Sequence, residues 1–126
     1  ELADQLGFDS ISLGVTLGYI MEYNQHHPQQ PIGDGLSFGD VDGVVRLIRD
    51  TAAGRCPELG RGVKRLADQR EDTAYAMHCK GLELPAYLPE TNPGYPFAIA
   101  GGHMAMRTFL PSWVSCSSIL WRISRA

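Results

Sequence analysis

The sequence predicts an all-α fold, a multihelical bundle-like domain with a long proline-rich loop, and three observations carry that prediction. Apolar residues recur at helical spacing in several separate stretches; the strict alternation of a half-buried strand is sparse and short; and Pro85, Pro89, Pro93 and Pro96 crowd a segment that no regular helix survives. The chain has 126 residues, room for one core, and shows no internal repeat.

Each element follows from its own residues. The opening ELADQLGFDS reads as the last turns of a helix stopped at Gly7, so that the chain starts inside an element and a segment upstream is expected. Asp9 or Ser10 then caps a second helix over about residues 10–24. Ile11, Leu13, Val15, Leu17, Tyr19, Ile20 and Met21 make this helix apolar nearly all round, which predicts burial on more than one side. Gly14 and Gly18 lower its helix propensity and predict the close approach of another backbone or of a ligand.

The stretch HHPQQPIGDGLSFG is polar and rich in glycine and proline, and predicts a loop serving as hinge or crossover. From Asp40 onward Val41, Val44, Val45, Ile48 and Ala52 follow the period of an amphipathic helix ended by Gly54. A further helix is expected to start near Pro57, with Leu59, Val63 and Leu66 on its apolar face and Arg61, Lys64 and Arg65 elsewhere, before QREDT ends it in water. Residues 76–96 are expected to be extended or turn-rich. A short helix over about residues 103–110 and one more in the tail complete the expected elements.

A formal charge of −3 and 44% hydrophobic residues describe an ordinary globular chain and exclude a general nucleic-acid binder. The charge is uneven, because no acidic residue follows Glu90, while Arg107, Arg122 and Arg125 do; a half-buried helical end and an anion-facing surface both fit. Cys56, Cys79 and Cys116 are odd in number, form no CxxC pair and follow no secretory leader, which predicts a reducing, cytoplasmic setting. No apolar run reaches the length of a spanning helix, so no membrane partner is expected.

Several residues could carry chemistry. Asp4 and Asp9 flank the glycine turn, either as capping groups or as fixed acceptors for a polar ligand rich in N–H donors. His26 and His27 read as a solvated pair in a polar loop. His78 and Cys79 alternate sides if the segment is extended, and so would not share a metal. His103 follows two glycines and opens a helix, where the dipole favours the neutral imidazole; a structural histidine and a proton carrier are both compatible with that position. Lys80 and Glu83 are either an exposed ion pair or groups carried into a cleft on a loop.

The segments DQLGFDSIS, GVKRLA, AMHCKGLELPAY and GYPFAIAGGHM, in that order, resemble the C-terminal helical domains of the aldehyde ferredoxin oxidoreductase family, over Leu2 to Leu110. Residues 1–110 are therefore expected to be a partial helical region of that kind and residues 111–126 a divergent C-terminal tail. The resemblance implies a tungsten or molybdenum bis-pterin and a 4Fe-4S cluster in the intact enzyme, oxidation of a small aldehyde-like substrate to a carboxylic acid, and ferredoxin as electron acceptor. It likens Asp4, Gly7, Phe8 and Asp9 to a pterin-contacting set, with Phe8 standing where the family has leucine. It likens His103 to a histidine near the metal, the catalytic candidate, and His78, Lys80 and Glu83 to residues lining the substrate channel.

The family's N-terminal pterin-binding domain and its C-x-x-C-x-x-x-C run have no counterpart in this sequence, and WVSCSSILW around Cys116 does not match the last cluster cysteine. No residue is assigned as a metal ligand, and the isolated chain is expected to be inactive and to retain no cofactor. The alternative is a cofactor-free helical interaction module, or a truncated nonfunctional relic.

Overall fold

The computed structural model describes residues 1–86, and these are mostly helical. Helix α1 spans Leu2–Gln5, α2 Ser10–His26, α3 Val41–Ala52 and α4 Val63–Arg70, and a two-stranded hairpin follows, with β1 at His78–Cys79 and β2 at Leu82–Glu83. Residues 1–85 form one compact unit. Pro89, Pro93, Pro96, His103, Cys116, the expected helix at 103–110 and the 111–126 tail lie outside the described residues.

The first two helices meet as the sequence predicts. Gly7 takes φ +77°, the Phe8 N–H donates to the Ala3 carbonyl at 2.9 Å, and the Gly7 N–H donates to that of Asp4 at 3.2 Å, the paired bonds that close a helix end around a left-handed residue. Asp9 caps α2 by accepting from the Ser12 N–H at 2.7 Å.

Helix α2 is the spine of the core, but it is buried on one side only among the described residues. Leu13, Thr16, Leu17, Ile20 and Tyr23 repeat at helical spacing on the buried face, joined by Tyr19, whereas Ile11 is exposed and Val15 and Met21 are half-buried. A Cβ added at Gly14 or Gly18 would meet no described atom within 4 Å, so the expected close approach is not made by this part of the chain.

The loop after α2 is anchored to the helix. Asn24 pins it with three hydrogen bonds: its side-chain amide donates to the carbonyls of Ile32 and Leu36 at 2.9 and 2.8 Å, and its oxygen accepts from the Ile32 N–H at 2.7 Å. Both loop residues drop into the core.

Helix α3 is where expected, yet it turns a different face inward. Gly43, Leu47 and Ile48 are buried while Val41 is 70% exposed and Ala52 lies at the surface. The anchored loop lays Leu36 on Gly43, where an added Cβ would stand 2.9 Å from a Leu36 methyl and closer still to the capping carboxylate of Asp40, so the inward face of α3 is built around this close approach.

Helix α4 starts six residues later than Pro57 suggested. A 3-10 turn at Leu59–Arg61 comes first, and Gly62, at φ +78° and ψ 158°, separates it from the helix. The expected apolar face of Leu59, Val63 and Leu66 is nevertheless buried, with Ala67 added. The hairpin turns on Lys80 and Gly81, both at positive φ, and pairs His78 with Glu83 and Cys79 with Leu82.

Candidate functional site

The N-terminal ends of α2 and α4 and the hairpin surround a cleft of about 570 Å³. One wall is the α1–α2 turn, with Gly7, Phe8 and Asp9, continued by Ser12 and Leu13. The facing wall is the turn before α4, with Arg61 and Gly62, followed by Lys64 and Arg65; Gly81 and Glu83 of the hairpin close the remaining side. Three cations and two carboxylates thus meet around one opening.

Glu83 lies deepest of the charged groups and is only 8% exposed. One carboxylate oxygen accepts from the Ser12 hydroxyl at 2.8 Å and the other from the Val63 N–H at 2.9 Å. Burial pushes this carboxyl up, but the hydrogen bonds from Ser12, the Val63 N–H and its own backbone N–H outweigh it and hold its pKa below the ordinary value, so Glu83 is ionised at neutral pH. It does not form the exposed pair with Lys80 that was one alternative.

The other expected site residues separate into groups. Gly7, Phe8 and Asp9 line the cleft, whereas Asp4, in the same turn, points to solvent with its side chain 81% exposed. Asp9 uses Oδ1 for the cap, and its second oxygen makes no hydrogen bond among the described residues. His78 stands on β1 and accepts from the Gly81 N–H at 3.3 Å through Nδ1, while Lys80 is exposed at the hairpin tip. As expected, His78 and Cys79 face opposite ways, Cys79 being buried.

The His26–His27 pair lies at the far end of α2 and is more than a solvated loop pair. His27 Nε2 is 2.7 Å from Asp72 Oδ2, and His26 stacks on Tyr75 and approaches Glu22 at 3.3 Å. Tyr75 also donates to Asp72 Oδ2 at 2.7 Å, and the Tyr19 hydroxyl donates to the Asp72 carbonyl at 2.8 Å. The Tyr75 hydrogen bond, then that of His27, lowers the Asp72 pKa; burial and the Asp72 charge push the Tyr19 phenol up to about 12.

No group of three or more metal-ligating side chains occurs among the described residues. Burial and the hydrogen bond to Glu58 push the Cys56 thiol up to about 11, which keeps it protonated and a poor metal ligand. No described helix is long and apolar enough to cross a membrane.

Sequence reasoning left Ser12, Arg61 and Lys64 without a role. Their signal was faint: Ser12 follows the capping residue by three, and the basic residues of RGVKR were visible only as the polar side of a helix.

This mostly helical domain turns two helix starts, a glycine turn and a set of opposed charges toward one cleft, which is the candidate binding site. The chain matches the family described as aldehyde ferredoxin oxidoreductase, domains 2 and 3, over residues 1–108, and it belongs to that family. It is 33% identical over 106 residues to a tungsten-containing aldehyde ferredoxin oxidoreductase of Pyrococcus furiosus, and 34% identical over 108 residues to the protein of that description from Pyrococcus abyssi. In each case the match takes in 79% of this chain and 18% of the relative, so the chain spans about a fifth of the length of these curated relatives. No solved structure matches it.

Proposed function

We propose that the chain is one part of a tungsten- or molybdenum-pterin oxidoreductase that converts an aldehyde and water into a carboxylic acid, two protons and two electrons, the electrons leaving through a 4Fe-4S cluster to ferredoxin. Family membership and the tungsten named in its relatives support the reaction class. The single observation that carries the role of this segment is the cleft at the Gly7–Phe8–Asp9 turn.

The cleft residues fit a pterin. Asp9 offers the N–H edge of such a ring a carboxylate oxygen that makes no hydrogen bond among the described residues, Phe8 offers an apolar face, and Arg61 and Arg65 offer cations to a phosphate ester. The bound group would supply the two-electron redox chemistry. The protein's part would be to orient the group and to exclude water: Gly7, Phe8 and Asp9 would hold the ring edge, with Asp4 of the same turn as a further acceptor. By family resemblance His78 and Lys80 are assigned to the substrate path, as is the hairpin that carries Glu83. His103 is assigned the proton-handling role by resemblance of its Gly-Gly-His segment.

The test is to purify from its native source the protein that carries this sequence and assay tungsten, molybdenum and iron, together with aldehyde-dependent reduction of a viologen dye. Metal, iron and dye reduction in one species are expected. A species with neither metal nor iron overturns the assignment.

A further inference from the structure

Glu83 is a buried, ionised carboxylate whose two oxygens are both spent on protein donors, and those donors belong to opposite walls of the cleft. Ser12 sits one turn inside α2, three residues past Asp9. Val63 opens α4, and its N–H is one of the donors that a helix start leaves without an internal partner. The residue before it, Gly62, has no side chain with which to cap that start. A carboxylate 20 residues away does so instead.

The fit is tight enough to restrict the sequence at both ends, because a Cβ at Gly62 would lie 2.8 Å from Glu83 Oε1. Glycine before α4 and glutamate on β2 therefore belong to one device. The hairpin that delivers Glu83 is in turn held by the left-handed Lys80–Gly81 turn.

We propose that Glu83 is a positioning residue for the cleft: by binding Ser12 and Val63 at once it fixes the spacing between the wall that carries Phe8 and Asp9 and the wall that carries Arg61, Lys64 and Arg65. The consequence for ligand binding rests on the cleft being a pterin site; the positioning role itself does not. Glu83 touches no ligand in this scheme, and it sets the geometry through Ser12 and the α4 backbone.

The experiment uses the whole 126-residue chain, with Glu83→Ala and Glu83→Gln, and follows melting temperature and backbone amide resonances in chloride and in formate at matched ionic strength. Glu83→Ala is expected to melt several degrees lower and to displace the amide resonances of Ser12, Val63 and Lys64. Formate, a carboxylate small enough for the vacated space, is expected to restore both in the variant and to leave the wild type unchanged. A Glu83→Ala chain that melts as the wild type does, or a formate effect equal in both chains, overturns the proposal.

If Glu83→Ala does not fold, Glu83→Gln decides. Its neutral amide is expected to speed hydrogen exchange at Val63, and exchange at the wild-type rate overturns the proposal. Fluorescence titration with 6-hydroxymethylpterin adds the ligand readout, with affinity expected to fall about tenfold in Glu83→Ala because the two walls are no longer preorganised, and to recover with formate. Failure of the wild-type chain to bind this pterin counts against the pterin site alone, since the formate result still decides the role of Glu83.

Discussion

One oxygen of Asp9 closes the first turn of α2, and the other makes no hydrogen bond among the described residues, so the same side chain can be tested for two roles separately. Asp9→Ala removes the cap and is expected to cost about 1 kcal/mol in a denaturant melt. Asp9→Asn keeps a good cap and loses only the charge, so stability should hold while pterin affinity drops. Equal stability in Asp9→Ala and wild type would refute the cap. At Asp72 the prediction concerns pH. Its carboxyl is held below the ordinary range by Tyr75 and His27, so its contribution to stability is complete above the ordinary carboxylate pKa and disappears as pH falls through the lowered value. Acid melts should therefore be shallower in Asp72→Asn than in the wild type, and Tyr75→Phe should shift the acid limb toward higher pH. An unchanged acid limb in both variants would show that the cluster contributes nothing.

Glycine means different things in different elements. Gly62 sits at φ +78° with Glu83 against it, so Gly62→Ala combines backbone strain with a clash and is expected to destabilise by about 1–3 kcal/mol. Gly14 and Gly18 sit inside α2 with no described atom within 4 Å of where a Cβ would go, so Gly14→Ala and Gly18→Ala should each raise stability by up to about 1 kcal/mol. Thermal melts of the three variants check the contrast, and a stabilising Gly62→Ala would contradict the account of the α4 start. The elements also show how far pattern reached. The glycine stop at Gly7, the Asp9 cap and the Leu59–Val63–Leu66 face were legible, because caps and short-range periodicity are decided by neighbours in the chain. The rotation of α3 and the late start of α4 were not, because Leu36 on Gly43 and Glu83 on Val63 are contacts across 7 and 20 residues.

At the scale of the molecule, the described residues leave Ile11, Phe38, Val41, Met77 and Leu82 at the surface, 43 to 70% exposed, in a chain matching 18% of its relatives' length. Apolar surface of this kind favours association. The isolated chain is expected to sediment with increasing mass as its concentration rises, and an ideal monomer at all concentrations would argue for a self-sufficient domain. The sequence by itself determined the helical class, the Gly7 stop and the Asp9 cap and, through the order of four short motifs, the family, since each depends on local spacing or on segment identity. Tertiary structure alone decided that Glu83 turns inward rather than pairing with Lys80, that Asp4 stays in solvent while Asp9 lines the cleft, and that His27 meets Asp72. Whether a charged side chain faces water or a partner depends on which distant donors the fold brings within about 3 Å, and no periodicity along the chain encodes that distance.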